Sequence, residues 1–368
     1  MVFDRGHPGP GRFWGERQYA GKGSWIVRIR DGRPCKNRDN ETDSRFVREY
    51  GEFEMASIWD NSLSILPSAS SAKHMKIQCI QNIAECKQIW EELSPKKSIY
   101  DEWEFRFCFF KHFNHTLHFY AAIIGNKIIG LLPLQYDPDA QQLDFFGGSY
   151  MDMNAIFMEE QYHELIPELY RSLTLPAKLI VTQKDPFTSQ LPQVDFNYFF
   201  DLRGIGSHEE LFEILFSKKT QRTFNWKNRK IEGNEVIILK GRHDDLDVLI
   251  ELNIKQFGDS SSFHFTHRVK IFRELLKLPF QFVMMSFLVN GKIQAVTLSI
   301  IYKNTYHYLA SGVSPEIPNF GSYVIIKNID EATSLNCDIF DVSSGDCGWK
   351  ERWHAEKSMP QYLFSNTG

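Results

Sequence analysis

The 368-residue chain is predicted to have a mixed α/β fold, made of two similar units that follow an N-terminal extension. Two hairpin-like segments, IIGNKII and LVNGKIQ, occupy corresponding places in two stretches that share one order of strands and helices. The character of the sequence also changes at Met75, where a β-prone run begins. We therefore expect an internal duplication, with a first unit at 75–205 and a second unit at 206–368.

Residues 1–74 are rich in Gly, Arg, Asp and Ser and lack a sustained apolar period. Only the run SWIVRI, at 24–29, could form a short strand. This composition predicts a disordered extension. Two alternatives stay open, namely a regulatory tail and a segment that lies upstream of the true start, with Met75 as the initiator.

The composition favours a soluble protein of the cytoplasm. Hydrophobic residues make up 42% of the chain and charged residues 24%, and the formal net charge is −4. This balance gives no overall attraction to nucleic acid or to anionic membranes. No apolar run is long enough to span a bilayer, and the N-terminus has no secretory apolar core. None of the six cysteines forms a CxxC pair, so we expect reduced thiols and no metal site.

In the first unit, period-2 and β-prone runs alternate with helical periods. Gly125-Asn126 separates two of the runs and indicates a hairpin. The predicted strands are 76–80, 117–124, 127–134, 143–146, 178–182 and 198–202, and the predicted helices are 83–93, 100–113 and 160–173.

The second unit begins with a helix signal, because Ser207 and Glu210 have the spacing of a capping box ahead of an apolar run. Asn290-Gly291 predicts the clearest hairpin of the chain, with a type I′ turn. The remaining predicted strands are 235–240, 306–310 and a run from Ile339, and the remaining helices are 244–257, 269–276 and 321–335.

The strongest candidate site is the stretch CDIFDVSSGDCGWKERW at 337–353. A strand there ends in a polar Gly turn, and Lys350 follows between Trp349 and Trp353. A lysine in an aromatic cleft could stabilise an oxyanion, and Asp341 could accept a proton from an amine nucleophile or hold its ammonium form. The alternative is a structural Asp341–Lys350 ion pair beneath Trp353.

A second candidate is the loop SPEIPNFGS at 314–322, which leads from a strand into a helix. Amide groups at a helix N-terminus can bind phosphate, and Gly321 permits close approach. The alternative is a plain connection, capped by Asn319 or Ser322.

Basic residues and histidines give weaker signals. The run 218–230 carries six cations, including Arg222, with Phe224 and Trp226 between them. It is either a solvated face or a surface that holds an anionic substrate or an RNA. The histidines lack the spacing of a metal site. Strand alternation predicts that His307 faces solvent or caps the sheet.

Four segments together resemble one family. FDVSSGDCGWKERW, the preceding helix GSYVIIKNIDEATSLNC, the Asn-Gly hairpin and the basic SKKTQRTFNWKNRK are similar to the GNAT-type acetyltransferase domain of proteins related to cellulose-biosynthesis CelD. These proteins are in turn similar to Fem-type aminoacyl transferases of peptidoglycan synthesis. The family pattern is met by Asp341, Gly345, Trp349-Lys350 and Trp353, with Trp349 where Tyr or Phe is usual. The resemblance covers residues 75–368.

The resemblance implies a tandem GNAT-like fold and a bacterial acyltransferase. The acyl group would come from acetyl-CoA or another acyl-CoA, or in the Fem branch from aminoacyl-tRNA, and would pass to an amine by direct attack. Lys350 would lie beside the reacting carbonyl and Asp341 beside the nucleophile. By the same resemblance, the predicted donor-binding residues are Asn319, Phe320, Gly321 and Ser322, and the predicted substrate-binding residues are Tyr308, Trp349, Trp353 and Arg222.

Two further interpretations stay open. One is a catalytically silent GNAT fold that binds a ligand or partner, which is favoured by the incomplete glycine pattern at 319–322 and opposed by the presence of Asp341 and Lys350. The other is a nucleic-acid-binding module, which the mildly acidic whole chain disfavours. Neither the acceptor nor the oligomeric state follows from the sequence.

Overall fold

In a computed structural model of the protein, the structure describes residues 18–20, 24–26, 75–183, 185–345 and 348–366. The predicted disordered extension at 1–74 falls outside these residues except for two short strands. These strands, β1 (Gln18–Ala20) and β2 (Ser24–Ile26), pair in antiparallel orientation. The strand predicted within SWIVRI is thus confirmed over its first three residues.

The first half of the described chain follows the predicted order closely. The hairpin turn at Gly125 is confirmed, with a φ of 62°. The elements are β3 (Met75–Ile80), α1 (Ile83–Leu93), α2 (Trp103–Phe110), β4 (Thr116–Ile124), β5 (Lys127–Asp137), β6 (Gln142–Phe145), β7 (Phe157–Met158), α3 (Ile166–Arg171), β8 (Ala177–Val181) and β9 (Gln193–Asp201).

The second half repeats this order after two additional helices. Its hairpin turn has the predicted type I′ character, because Asn290 and Gly291 both have positive φ. The elements are α4 (His208–Leu215), α5 (Lys218–Glu232), β10 (Val236–Lys240), α6 (Leu246–Phe257), α7 (Thr266–Leu275), β11 (Gln281–Val289), β12 (Lys292–Tyr302), β13 (Thr305–Val313), α8 (Phe320–Ser334), β14 (Ile339–Ser344) and β15 (Glu356–Asn366).

Two predicted helices are shorter than expected. The segment 160–173 is a 3-10 helix at Glu160–Leu165 followed by α3, because Pro167 has no N–H for a continuous α-helix and is tolerated only in a first turn. The segment 100–113 is a 3-10 turn at Ile99–Asp101 followed by α2. The aromatic residues that made this segment look long face two different hydrophobic clusters or their edges.

All strands from β3 onwards form one mixed sheet. Its order is β10-β11-β12-β13-β14-β9-β15-β8-β6-β5-β4-β3, with β7 paired to β5. Strand β9, from the first predicted unit, lies between β14 and β15 of the second, and β15 pairs in turn with β8 of the first. Each predicted unit therefore places its last strand beside strands of the other unit.

The duplication is also visible in local detail. In both halves the hairpin carries a register shift two residues before its turn, at Ala122/Ile123 and at Phe287/Leu288. Such a bulge bends a strand and increases its twist. Because the same irregularity recurs at the same place, the two halves are similar units and not merely two α/β segments.

Helix α2 packs the first half onto the second. Its Phe105 and Phe109 share a hydrophobic cluster with Leu249 of α6 and Ile271 of α7. The Tyr100 ring, which precedes α2, belongs to the same cluster. This cluster covers one face of β12 and β13, so that face of the sheet is not exposed to solvent. Among the described residues, no helix is long and apolar enough to cross a membrane.

Candidate active site

The two central parallel strands of the second half separate after three residue pairs. β13 and β14 pair only at Thr305–Ile339, Tyr306–Phe340 and His307–Asp341. Beyond this point β13 continues along β12 to its end. β14 instead continues beside β9, where Ser344 pairs with Asn197. The chain therefore has a V-shaped split between β13 and β14, and the pair His307–Asp341 stands at its vertex.

At the vertex, the side chains of His307 and Asp341 are hydrogen-bonded. The distance from Nδ1 of His307 to Oδ2 of Asp341 is 2.8 Å. His307 is 4% exposed, and its Nε2 is buried with no hydrogen-bond partner among the described residues. Because an ionised carboxylate only accepts hydrogen bonds, Nδ1 carries the proton in this contact, and in the neutral imidazole Nε2 presents its lone pair. The pair thus has the form of a general base held by an aspartate.

The prediction that His307 faces solvent is wrong. The strand alternation behind it holds, but the face in question is covered by the first half of the chain. The ring of Tyr100 meets the imidazole edge-on, with 6.0 Å between the ring centroids. A periodic pattern gives the side of a strand on which a residue lies, but not what packs against that side.

The first half also contributes charge to this site. Tyr100 Oη donates to Oδ2 of Asp152 at 2.9 Å, and Ser344 Oγ donates to Oδ1 of the same carboxylate at 2.6 Å. Burial raises the pKa of Tyr100 well above its usual value, and the nearby charges of Asp152 and Asp341 raise it further. The phenol therefore stays protonated and remains a donor. We call His307, Asp341, Tyr100, Asp152 and Ser344 the junction cluster.

Two strands of the sheet centre fix the position of Asp152. Its backbone carbonyl accepts hydrogen bonds from Asn197 of β9 and Gln361 of β15, each at 3.2 Å. Gln361 also donates to the side-chain oxygen of Asn197 at 2.8 Å. All three polar groups lie where strands of the two predicted units meet, so the strand arrangement and the junction cluster depend on each other.

The turn after β14 is held by Lys350. Its Nζ donates to the carbonyls of Ser343 at 3.0 Å and Ser344 at 2.8 Å, and it lies 5.4 Å from the ring centroid of Tyr198. The N–H of Ser343, a residue with a φ of 65°, donates to Oδ1 of Asp341 at 2.8 Å. Lys350 is only 3% exposed. Lys350 and Asp341 are thus brought together through the end of β14, and the side-chain partner of Asp341 is His307, not Lys350.

The predicted aromatic residues occupy two different environments. Tyr308 is half-buried beside Phe340 at the split, with 5.9 Å between their ring centroids, and burial raises its pKa. Trp353 is 3% exposed and packs edge-on against Phe212 and Phe224. It therefore belongs to the hydrophobic core and does not line an open cleft. Trp349 is half-buried against Trp353, 5.8 Å away.

The start of α8 agrees only in part with the predicted donor-binding turn. Asn319 has a φ of 63°, and its side chain makes no capping hydrogen bond. Phe320 is 1% exposed and stacks on Tyr323, so its ring is part of the core. Gly321 is exposed, and a Cβ built on it would meet nothing within 4 Å. The backbone of this turn, the exposed Asn319 and the partly exposed Ser322 are open to a ligand, whereas the Phe320 ring is not.

The edge of β13 that faces the split is covered by side chains of α6. The Nδ2 of Asn253 donates to the carbonyl of Ser311 at 2.6 Å, and the N–H of Val313 donates to Oε1 of Gln256 at 3.0 Å. A ligand that pairs with this edge has to take over these two hydrogen bonds.

Arg222 lies apart from these groups, on the exposed face of α5. Its neighbours Lys219, Thr223 and Trp226 line an open depression with it. Trp226 is 56% exposed, and the Nζ of Lys230 lies 3.9 Å from its ring centroid. This surface is cationic and aromatic, but none of its described contacts reaches the junction cluster.

Among the residues that the structure describes, one group of side chains has ligand atoms close enough together for a metal ion. These atoms, from His208, Glu209 and Asp330, lie within 4.8 Å of one another. Nδ1 of His208 is already 2.7 Å from Oδ1 of Asp330. The hydrogen bond from this histidine lowers the pKa of Asp330 in spite of the opposing effect of burial. The hydrogen bond between His208 and Asp330 accounts for the closeness of these side chains without a metal ion.

Tyr100 and Asp152 were not among the candidates from the sequence. Asp152 had a usable signal, since a single acid stands between Met151 and Met153 shortly after Gly147-Gly148. An acid in such an apolar setting is expected to be buried and paired. Tyr100 had no such signal, because it was one of many aromatic residues in its segment.

Comparisons with known proteins agree with this architecture. Residues 218–351 match the family model of the acetyltransferase (GNAT) domain. Among solved structures, FemX is similar over 79% of this chain and 98% of its own, with a TM-score of 0.54 and 8% identity. The structure of L-PGS from Bacillus licheniformis is similar over 78% of this chain and 93% of its own, with a TM-score of 0.51 and 11% identity. No curated protein matches the sequence.

The family match contains β13, α8 and β14, and hence the split and the His307–Asp341 pair. The similarity to the two solved structures extends over both halves of the chain and shows the fold alone. The chain therefore has a tandem GNAT-like fold, and its residues 218–351 match the acetyltransferase (GNAT) domain model.

Proposed function

We propose that the protein is an N-acyltransferase that moves an acyl group from an acyl-CoA thioester to the amine of a small molecule, sugar or peptide. The observation that carries this proposal is the His307–Asp341 pair at the vertex of the split, within the acetyltransferase domain. Its Nε2 has no competing hydrogen-bond partner among the described residues, so an amine that reaches this atom can give up its proton to it.

Direct attack requires one proton to leave the amine. As the C–N bond forms, Nε2 of His307 takes this proton, and the carboxylate of Asp341 stabilises the resulting imidazolium through Nδ1. The C–S bond then breaks, and the departing thiolate recovers the proton from Nε2. No covalent enzyme intermediate is needed. Asp341 is thus a positioning residue, where the sequence suggested a base or an ammonium ligand.

Lys350 fits a positioning role as well. Two donors of its ammonium group hold the carbonyls of Ser343 and Ser344, and Ser343 in turn holds Asp341. Stabilisation of an oxyanion by Lys350, as the resemblance implies, would fall to the remaining N–H, because two of the three donors of the ammonium are on these carbonyls. We therefore propose that Lys350 acts through the turn.

The split and the start of α8 are the proposed donor site. The thioester arm would enter between β13 and β14, and the amides of 319–322 would meet the pyrophosphate next to the open space at Gly321. If the arm pairs with β13, Asn253 and Gln256 have to release its edge. CoA supplies the activated acyl group and the leaving thiol.

A second donor class is aminoacyl-tRNA. The observation that favours it is the exposed surface of α5, where Arg222 and Lys219 surround the exposed Trp226. Cations and an exposed aromatic ring are typical of surfaces that bind single-stranded nucleic acid. The residues proposed for proton transfer are the same for both donors.

A thermal-shift titration of the full chain distinguishes these possibilities. We expect acetyl-CoA, a longer acyl-CoA or free CoA to raise the melting temperature in a concentration-dependent way, because a ligand that binds only the folded state stabilises it. The shift should persist in His307→Gln, whereas release of free thiol in the presence of an amine should be lost. If no CoA compound shifts the melt but aminoacyl-tRNA does, the second donor class is correct. If neither binds, the proposal of an acyltransferase fails and the fold is a silent ligand-binding one.

A further inference from the structure

An open depression of about 440 Å³ lies on the first half of the chain, away from the split. Its lining comes from β3, β4 and the segment after α3, and includes Cys79, His118, Tyr120, Ser172 and Thr174. The volume lies within the range of small-molecule sites. No part of the proposed acyltransferase chemistry uses this surface.

The depression contains a cysteine and a histidine in contact. Sγ of Cys79 lies 3.7 Å from Nδ1 of His118, within the range of a hydrogen bond to sulfur. The two residues sit on the neighbouring strands β3 and β4, two register positions apart, since Cys79 pairs with Tyr120 and Ile80 with Phe119. Cys79 is exposed, whereas the other free cysteines of the described chain, Cys86, Cys108 and Cys337, are buried.

A third residue holds the imidazole. Nε2 of His118 lies 2.9 Å from the side-chain amide nitrogen of Gln81. An amide group can serve either tautomer, because rotation by half a turn exchanges its oxygen and its nitrogen. When the amide oxygen accepts from Nε2, the lone pair of Nδ1 points at the thiol. This arrangement of nucleophile, base and orienting group is the one that activates a cysteine.

The surroundings of Cys79 and His118 favour the uncharged form of each side chain. Burial raises the pKa of Cys79, against the lowering effect of a hydrogen bond with Tyr120. Burial also lowers the pKa of His118. Near neutral pH the site therefore holds a thiol and a neutral imidazole. Such a thiol stays unreactive until a base removes its proton during the reaction, and His118 is the adjacent base.

We propose that Cys79 is a thiol–disulfide exchange site for low-molecular-weight disulfides, with His118 as its base. The imidazole takes the thiol proton while Sγ attacks one sulfur of the bound disulfide. A new S–S bond forms on Cys79, the S–S bond of the small molecule breaks, and its departing thiolate takes the proton from His118. The products are a mixed disulfide on Cys79 and one free thiol. This exchange requires only a base and room for a sulfur substituent, and the depression provides both.

The test uses the reduced full chain and excess oxidised glutathione. Site-resolved mass spectrometry over time measures adduct formation at each cysteine. We expect Cys79 to form the mixed disulfide well before Cys86, whose thiol is buried, donates to the carbonyl of Ile80, and has a pKa raised to about 12. His118→Gln should slow the reaction at Cys79 by about tenfold or more. His163→Gln, a change to a half-buried histidine whose Nε2 contacts a backbone carbonyl, is the matched control and should leave the rate unchanged.

Gln81→Met removes the contact that orients the imidazole of His118. Because the Gln81 side chain is exposed, the fold should not depend on it. This variant should slow the reaction less than His118→Gln. Equal rates at Cys79 in the wild type and in both variants would overturn the role of His118. Modification of Cys79 at the rate of an unfolded-peptide thiol, or no adduct at all, would overturn the exchange site. Because Cys79 belongs neither to the junction cluster nor to the proposed donor site, Cys79→Ser should remove the adduct and keep acyl transfer, which separates the two proposals.

Discussion

The roles of His307 and Asp341 can be separated from donor binding by substitution. His307→Gln removes the base and keeps a similar side-chain size, and we expect it to lower kcat by about 10² to 10⁴. Asp341→Asn should have a comparable effect, because an amide can donate to Nδ1 and thereby place the imidazole proton on Nε2. Donor affinity, measured by thermal shift, should stay within a few-fold of the wild type.

His264→Gln is the control for these two variants, because His264 is exposed in the same half and contacts only the carbonyl of Gly258 among its described partners. Its kcat should equal that of the wild type. Full activity in a well-folded His307→Gln protein would exclude His307 as the base. Loss of donor binding in that protein would move its role from proton transfer to the donor site.

Lys350 also gives a prediction at the scale of one residue. Lys350→Met leaves the carbonyls of Ser343 and Ser344 without their charged donor, and a lost buried hydrogen bond of this kind costs about 1 to 3 kcal/mol. We expect lower stability in chemical denaturation and a lower kcat. Lys350→Arg keeps a cationic donor and should recover most of the stability. If Lys350→Met is as stable as the wild type but inactive, Lys350 acts on the reacting carbonyl directly.

At the scale of elements, the close packing of α6 on β13 depends on one glycine. A Cβ on Gly312 would lie 2.2 Å from the carbonyl oxygen of Leu249 and 2.7 Å from the backbone nitrogen of Asn253. Gly312→Ala must therefore push helix and strand apart, and overpacking of this kind costs about 1 to 3 kcal/mol. We expect a lower midpoint of urea unfolding and weaker donor binding, because Asn253 and Gln256 of α6 cover the edge of the split.

Gly321→Ala is the matched control for Gly312→Ala. The added Cβ meets nothing within 4 Å, and alanine is the better helix former at the start of α8. Its unfolding midpoint should equal or slightly exceed that of the wild type. If both alanine variants unfold at the same urea concentration, the close approach of α6 to β13 does not limit the packing of this face.

Most elements were predictable from local pattern, while the site depended on contacts that local pattern does not contain. The hairpin at Asn290-Gly291 and the strand from Ile339 follow from turn chemistry and apolar period. His307 was assigned to the correct side of its strand, yet it is buried because Tyr100 comes from about two hundred residues earlier in the sequence. A sequence pattern carries no record of such a distant neighbour.

For Lys350, too, the sequence predicts part of the local structure but not all of it. Its position in the motif and its burial among aromatic residues were predictable, because the adjacent tryptophans indicate a packed setting. The direction of its ammonium group was not, since it depends on the left-handed backbone of Ser343, which turns two carbonyls towards it. Serine gives no sequence signal for that conformation.

At the scale of the whole molecule, the strand order makes the two halves depend on each other. The predicted boundary at 205/206 assigns β9 to the first unit, although β9 pairs with β14 and β15. Asn197 of β9 also holds the carbonyl of Asp152. A fragment that starts at 206 lacks this central strand, so β14 and β15 would each present an unpaired edge. Independent folding of the second predicted unit therefore depends on whether it can fold without β9, and this can be tested.

We expect the fragment 206–368 to be unfolded or aggregated and the longer fragment 192–368 to be folded, because only the latter keeps β10–β14, β9 and β15 as one contiguous set of strands. Far-ultraviolet circular dichroism and the cooperativity of urea unfolding measure the difference. The longer fragment should still lack transfer activity, since Tyr100 and Asp152 of the junction cluster are absent from it. A cooperative, stable fold of 206–368 would instead establish 205/206 as a true domain boundary, and would mean that β9 is needed for the site but not for the fold.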